Sequence, residues 1–196
     1  MFLQPWIGEN YLSGINNEKI LILGESHYNE GEPFDNTQDV SDFTAKALQD
    51  IITKRTWIKF FNYVGQLFNN DWTEIWKNVA FANLIQHVLA KGEQPDAEHI
   101  KTVKIFYTYL ELLKPDKVIV VSSRAWKDWF RKHIDNEEGV ELIEDAKIGI
   151  SSVFKFPHST GKSLVIGINH TSSREGNYVE NWKPIVNEFL LYKLPE

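Results

Sequence analysis

The chain has 196 residues, no cysteine and a formal charge of −6. The length suits one domain with a full hydrophobic core, so residues 1–196 are read as a single unit. The missing cysteines exclude disulfides, thiol catalysis, zinc–thiolate sites and an iron–sulphur cluster, while the net charge argues against a general nucleic-acid binder without excluding a local basic face.

The opening MFLQPWIGEN has no charged segment ahead of an apolar one. No run approaches the roughly 18 apolar residues of a membrane span. A cytoplasmic protein with no membrane partner is the expectation. Lys19–Leu23 (KILIL) is short, continuously apolar after its lysine and followed by glycine, the pattern of a strand buried on both faces. After it comes Gly-Glu-Ser-His-Tyr, then a loop over Gly31–Asn36. Helices are expected near Ser41–Ile52 and Thr56–Phe68, the second with Trp57, Phe60, Phe61, Val64 and Phe68 at helical spacing.

Val79–Asn83 (VAFAN) reads as a second strand. Asp96 suits the N-cap of a helix carrying Val103, Phe106, Tyr107, Leu110 and Leu113 on one stripe, and Pro115 stops it. Lys117–Val121 (KVIVV) is a further buried strand, with a helix from about Arg124 to His133 behind it. Short strands near Val140–Ile143 and Ser151–Phe156, a clear one at Leu164–Ile168 and a helix near Asn181–Lys193 complete the chain. Strands alternating with helices indicate an α/β domain with a mainly parallel sheet.

Polar clusters follow four of these strands. They are Gly24–Tyr28, Asn83, Ser122 with Ser123, and Asn169–Ser173. Ligands of open parallel sheets bind beyond the carboxyl ends of the strands, so a site is expected there.

Together these stretches resemble the uracil-DNA glycosylase superfamily. LILGESHY is similar to its first motif, Gly-Gln-Asp-Pro-Tyr in one branch and Gly-Glu-Ala-Pro-Gly in another, and INHTSS to its His-Pro-Ser motif. The segment QPDAEHIKTVKIFYTYLELLKPDKVIVVSSRAW is similar to the one in which a Pro-x-x-Glu-Ile helix leads into Leu-Lys-Pro-x-x-Ile-Val. The likeness runs from about Lys19 to Lys193. It implies a three-layer α/β/α fold around a central four-stranded, mainly parallel sheet. It also implies removal of a deaminated base from DNA by hydrolysis of the N-glycosidic bond, with no cofactor and no metal.

Such an enzyme flips a nucleotide out of the stack, reads its base edge and steadies the departing anion. By motif position His170 is the donor to that anion and Asn83 the reader of the base edge. Tyr28 forms a pocket wall and Phe34 is the stacking aromatic. Ser172, Ser173 and Arg174 contact DNA, Arg174 in the place of the leucine that fills the gap left by the flipped base. Glu25 and Ser26 occupy the catalytic turn. Glu25 either orients water or hydrogen-bonds loop amides.

The motifs also depart from the family. Ser26 replaces the water-activating aspartate of one branch, and a hydroxyl is no general base at neutral pH. His27 stands for a proline and reads as an exposed loop imidazole; Thr171 replaces the proline of His-Pro-Ser. The branch with Gly-Glu-Ala-Pro carries an iron–sulphur cluster, which this chain has no cysteine to bind. Arg124, Lys127 and Arg131 on one helical face, and Lys54, Arg55 and Lys59 before another helix, are either solvated faces or phosphate contacts.

Weak excision is therefore expected. The alternative is an inactive module binding a free base or nucleotide on the same fold. Two further readings stay open. One is a small-ligand site like the Gly-Glu-x-His turn of esterase-like and haem-uptake proteins, whose chains are longer; the other is a protein-interaction domain.

Overall fold

The computed structural model describes residues 2–29, 37–68, 71–90, 99–130, 141–173 and 176–193. Its centre is strand β2 (Ile20–Gly24), buried at every position. Alternation along it separates two cores. Ile20 and Ile22 face one hydrophobic cluster, Leu21 and Leu23 the other, as the period of two in an extended chain requires.

Strand β4 (Val79–Asn83) lies parallel to β2 on one side, and β6 (Lys117–Val121) parallel to it on the other. Strand β9 (Gly161–Ile168) adds a fourth parallel member beside β6. The sheet is wider than the four strands expected. A two-residue β1 (Trp6–Ile7) pairs antiparallel with β4. At the opposite edge β8 (Ser151–His158) and β7 (Glu141–Ile148) extend it antiparallel, for seven strands in the order β1-β4-β2-β6-β9-β8-β7. Strands β7 and β8 come from the segments read as short strands, which are longer than their apolar cores because the hairpin ladder continues through polar residues, whereas β1 was not foreseen.

Helices cover both faces. Helix α1 (Thr37–Ile52) and helix α2 (Lys59–Phe68) contribute Leu48, Ile51, Phe61 and Val64 to the Ile20–Ile22 side. Helix α4 (Tyr178–Leu191) adds Trp182, Val186 and Phe189 to the same side. Helix α3 (His99–Leu113) brings Phe106, Tyr109 and Leu110 to the other. The helix expected after β6 is a π-helical turn, Ala125–Phe130, within the described residues. Its Trp126 lies flat on Gly167 of β9, where a β-carbon would overlap the indole. No described helix is long and apolar enough to cross a membrane.

Lys117 opens β6 fully buried, and its ammonium donates to the Leu190 carbonyl at 2.7 Å and pairs with Glu18 at 2.7 Å. Burial draws its pKa down against the raising influence of Glu18. The lysine thereby joins the end of α4 to the amino edge of the sheet.

Candidate functional site

Because β4, β2, β6 and β9 are parallel, their carboxyl ends share one edge, and the four polar clusters meet there. The chain leaves β2 toward β4 on one side and later continues from β6 toward β9 on the other. The crevice between β2 and β6 is thus the point where connections diverge, the usual ligand position in such sheets.

Glu25 fills that crevice and is buried. Its Oε2 accepts from the Ser122 hydroxyl at 2.6 Å and from Arg124 Nε at 3.3 Å, and its Oε1 pairs with Arg124 Nη2. Ser122 is held in turn, accepting from the Ala125 amide at 3.1 Å. Both carboxylate oxygens are engaged by side chains. Arg124 consequently faces Glu25 instead of extending a basic track with Lys127.

His170 follows β9 and is half-buried, with its ring stacked on Phe60 at 5.4 Å. Its Nδ1 lies 2.7 Å from the Ser172 hydroxyl and accepts from the Ser172 amide at 3.2 Å. An amide can only donate, so Nδ1 is unprotonated and the ring proton is assigned to Nε2. Burial is the first cause holding its pKa below 6.5; Glu25 raises it, and Arg124 and Lys59 lower it. At neutral pH His170 is therefore an uncharged N–H donor. Ser173 donates its amide to the His170 carbonyl at 2.8 Å. The amides of Ser172 and Ser173 thus build the turn around His170 and do not point out toward a phosphate. The Ser173 hydroxyl is buried without a hydrogen-bond partner among the described residues.

Asn83 ends β4 opposite Gly24 and is 5% exposed. Its Oδ1 lies over the Gly24 α-carbon, in space a β-carbon would occupy. The Asn83 carbonyl accepts from Gln86 Nε2 at 2.9 Å, but no described residue hydrogen-bonds its side-chain amide.

The ladder continues past β2 and β4, with Leu84 N–H on the Gly24 carbonyl (3.1 Å) and Ile85 N–H on that of Glu25 (2.9 Å). A second sheet then forms from β3 (His27–Asn29) and β5 (Val88–Ala90), parallel to each other. The Ser26 hydroxyl fastens it by donating to the carbonyls of His27 (3.0 Å) and His87 (3.1 Å). Ser26 is thus oriented toward the backbone.

His27 is not the exposed loop imidazole expected. It is half-buried, 2.7 Å from the Thr44 hydroxyl through Nε2 and edge-on to Phe43. Burial takes its pKa from 6.5 to about 4. Tyr28 stands in β3 opposite Leu89, with its side chain outside the described part. Phe34, Arg174 and Arg131 lie outside the described residues.

Of the second basic group, Lys54 pairs with Asp71 at 3.6 Å and Arg55 approaches Asp50 at 4.0 Å. Only Lys59 reaches the neighbourhood of His170. Next to Asn169 an open depression of about 180 Å³ is lined by Ser123, Trp126, Lys127, Ser151 and Trp182 among others. Sequence reasoning missed the Ser122–Glu25–Arg124 link and the Phe60 stack. A serine ending a buried strand two residues before an arginine was the available signal for the first; the second left none.

No family model matches the chain, and no curated protein matches it.

Proposed function

We propose that the carboxyl edge recognises a nucleobase, and that the protein is a divergent uracil-DNA glycosylase-like enzyme excising a deaminated base from DNA weakly. The observation that carries this reading is the uncharged His170, its proton on Nε2, on the same sheet edge as the side-chain amide of Asn83. A neutral imidazole N–H can donate to a pyrimidine carbonyl and does so more strongly as that oxygen gains charge. A carboxamide offers one donor and one acceptor, the complement of a base edge. The parallel run β4-β2-β6-β9 within the wider sheet, helices on both its faces, is consistent with the fold that the motif resemblance implies.

Slowness follows from the remaining groups. Glu25 has both oxygens occupied by Ser122 and Arg124, and Ser26 donates to carbonyls. Neither is arranged to take a proton from water, and lack of a general base costs about 10²–10⁴-fold. Those same contacts favour the second reading, a base- or nucleotide-binding module without chemistry.

Oligonucleotides carrying uracil, hypoxanthine or xanthine, incubated with the protein and then cleaved by alkali, separate the two. Excision that drops roughly 10²–10³-fold in His170→Ala supports the enzyme. Binding of a base with no excision leaves the module. Failure to bind or excise any base overturns both. Ser26→Asp is a poor rescue, because it turns an anion toward two carbonyl oxygens.

A further inference from the structure

Among the tryptophans whose burial is described, Trp57 alone is exposed, at 57%, while Trp76, Trp126 and Trp182 are buried. A single exposed apolar side chain needs no explanation, but Trp57 is an aromatic ring set next to an exposed cation, Lys59. Trp57 is also held in place. It meets the Tyr63 ring edge-on at 6.3 Å, and the Lys59 ammonium sits 5.6 Å from the centre of that same ring. Tyr63 stacks on Tyr178, whose hydroxyl donates to the Asn169 carbonyl at 2.8 Å, one residue before His170. From the other side Phe60 stacks directly on His170. Exposed indole, exposed ammonium and the candidate donor are therefore parts of one ring network around the start of α2.

We propose that Trp57 and Lys59 form a single-strand DNA platform beside His170, Trp57 stacking a base and Lys59 neutralising an adjoining phosphate. The proposal rests on the base-recognition reading and adds the substrate form. The strand is single, because a stacking face is open only to a base that is not already between its duplex neighbours. One aromatic face with one adjacent cation is what a single nucleotide of an unpaired strand requires. Lys54 and Arg55 take no part, since each lies against its own carboxylate. The exposed indole favours the same occupant over an acidic protein surface, which would engage Lys59 but leave the indole face unused.

The test is fluorescence anisotropy of a labelled oligothymidylate across a salt series, with free uracil binding followed in parallel by NMR. Trp57→Ala should weaken the oligonucleotide by roughly 5- to 150-fold, the scale of losing one stacked base. Trp57→Phe should retain most of the affinity, since a ring remains. Lys59→Ala should flatten the dependence of log affinity on log salt by about 0.7, the value for one phosphate of a single strand. Trp57→Ala should leave uracil binding unchanged. If the parent binds the oligonucleotide and Trp57→Ala binds it equally well, the platform is wrong and the base site survives. If the parent holds uracil but no oligonucleotide, the platform also falls and the nucleotide-module reading stands. Binding of neither overturns the platform and the base-recognition reading together.

Discussion

Glu25 and Arg124 stand 99 positions apart in the chain and form an ion pair in the crevice between β2 and β6. The pair places opposite charges beside His170, and each acts on the imidazole with its own sign. Its geometry makes the carboxyl edge electrically tunable.

The first expectation concerns His170 itself. Glu25 favours the imidazolium and Arg124 opposes it. Glu25→Gln should therefore lower the His170 pKa further, and Arg124→Ala should raise it toward 6.5. Carbon-bound ring protons followed by NMR across pH report both. Equal values in the two variants would mean that the pair does not act on His170.

Stability gives a second measure of the pair. Arg124→Ala removes the guanidinium from a buried carboxylate that keeps the Ser122 hydroxyl as a donor. Breaking a fully buried pair costs about 3–5 kcal/mol, and Arg124 is 34% exposed, so a loss of roughly 2 kcal/mol is expected. Glu25→Gln should cost less, because a carboxamide oxygen still accepts from Ser122 or Arg124. Urea unfolding of both variants would order them, and the reverse order would contradict the burial argument.

A third expectation is an acid-sensitive stability from His27. Its folded pKa, about 4, lies below the ordinary 6.5. Between those values the unfolded chain binds the proton and the folded one does not. Stability is therefore complete above pH 6.5 and falls as the pH drops through the window, by about 3 kcal/mol in all. His27→Gln cannot titrate and should flatten that limb. Urea midpoints from pH 7 to 4, compared for the parent and the variant, would reveal it.

Two glycines should respond differently to the same substitution. A β-carbon at Gly167 would overlap the buried Trp126 indole, and at Gly24 the side-chain oxygen of Asn83. An indole wedged against a strand has no room to retreat, so Gly167→Ala should cost about 1–3 kcal/mol or more. An amide can rotate away, so Gly24→Ala should affect stability less while displacing the Asn83 side chain and weakening base binding. Thermal melts together with a uracil titration separate the two effects.

The four parallel strands were legible because each is a short apolar run, and burial on both faces demands such a run whatever the neighbours. Val79–Asn83 and Lys117–Val121 match their expected bounds residue for residue. The helices before β4 and β6 were legible from their apolar stripes, which only a packed face explains. Two or three residues carry no period, so β1, β3 and β5 left no trace; their ladders depend on partners far along the chain. The edge that gathers Glu25, Asn83 and His170 followed from parallel pairing, which the alternating elements implied; the order β4-β2-β6-β9 came only with the structure.

What the residues of that edge do to one another was beyond the sequence. Whether Glu25 meets Arg124, whether Ser26 faces water or the His87 carbonyl, and whether His27 is wet or dry all turn on contacts across many residues. Composition and periodicity record which side chains must leave water. They do not record which polar partner waits at the end of each strand, because that distance is set only when β2, β4, β6 and β9 are laid side by side.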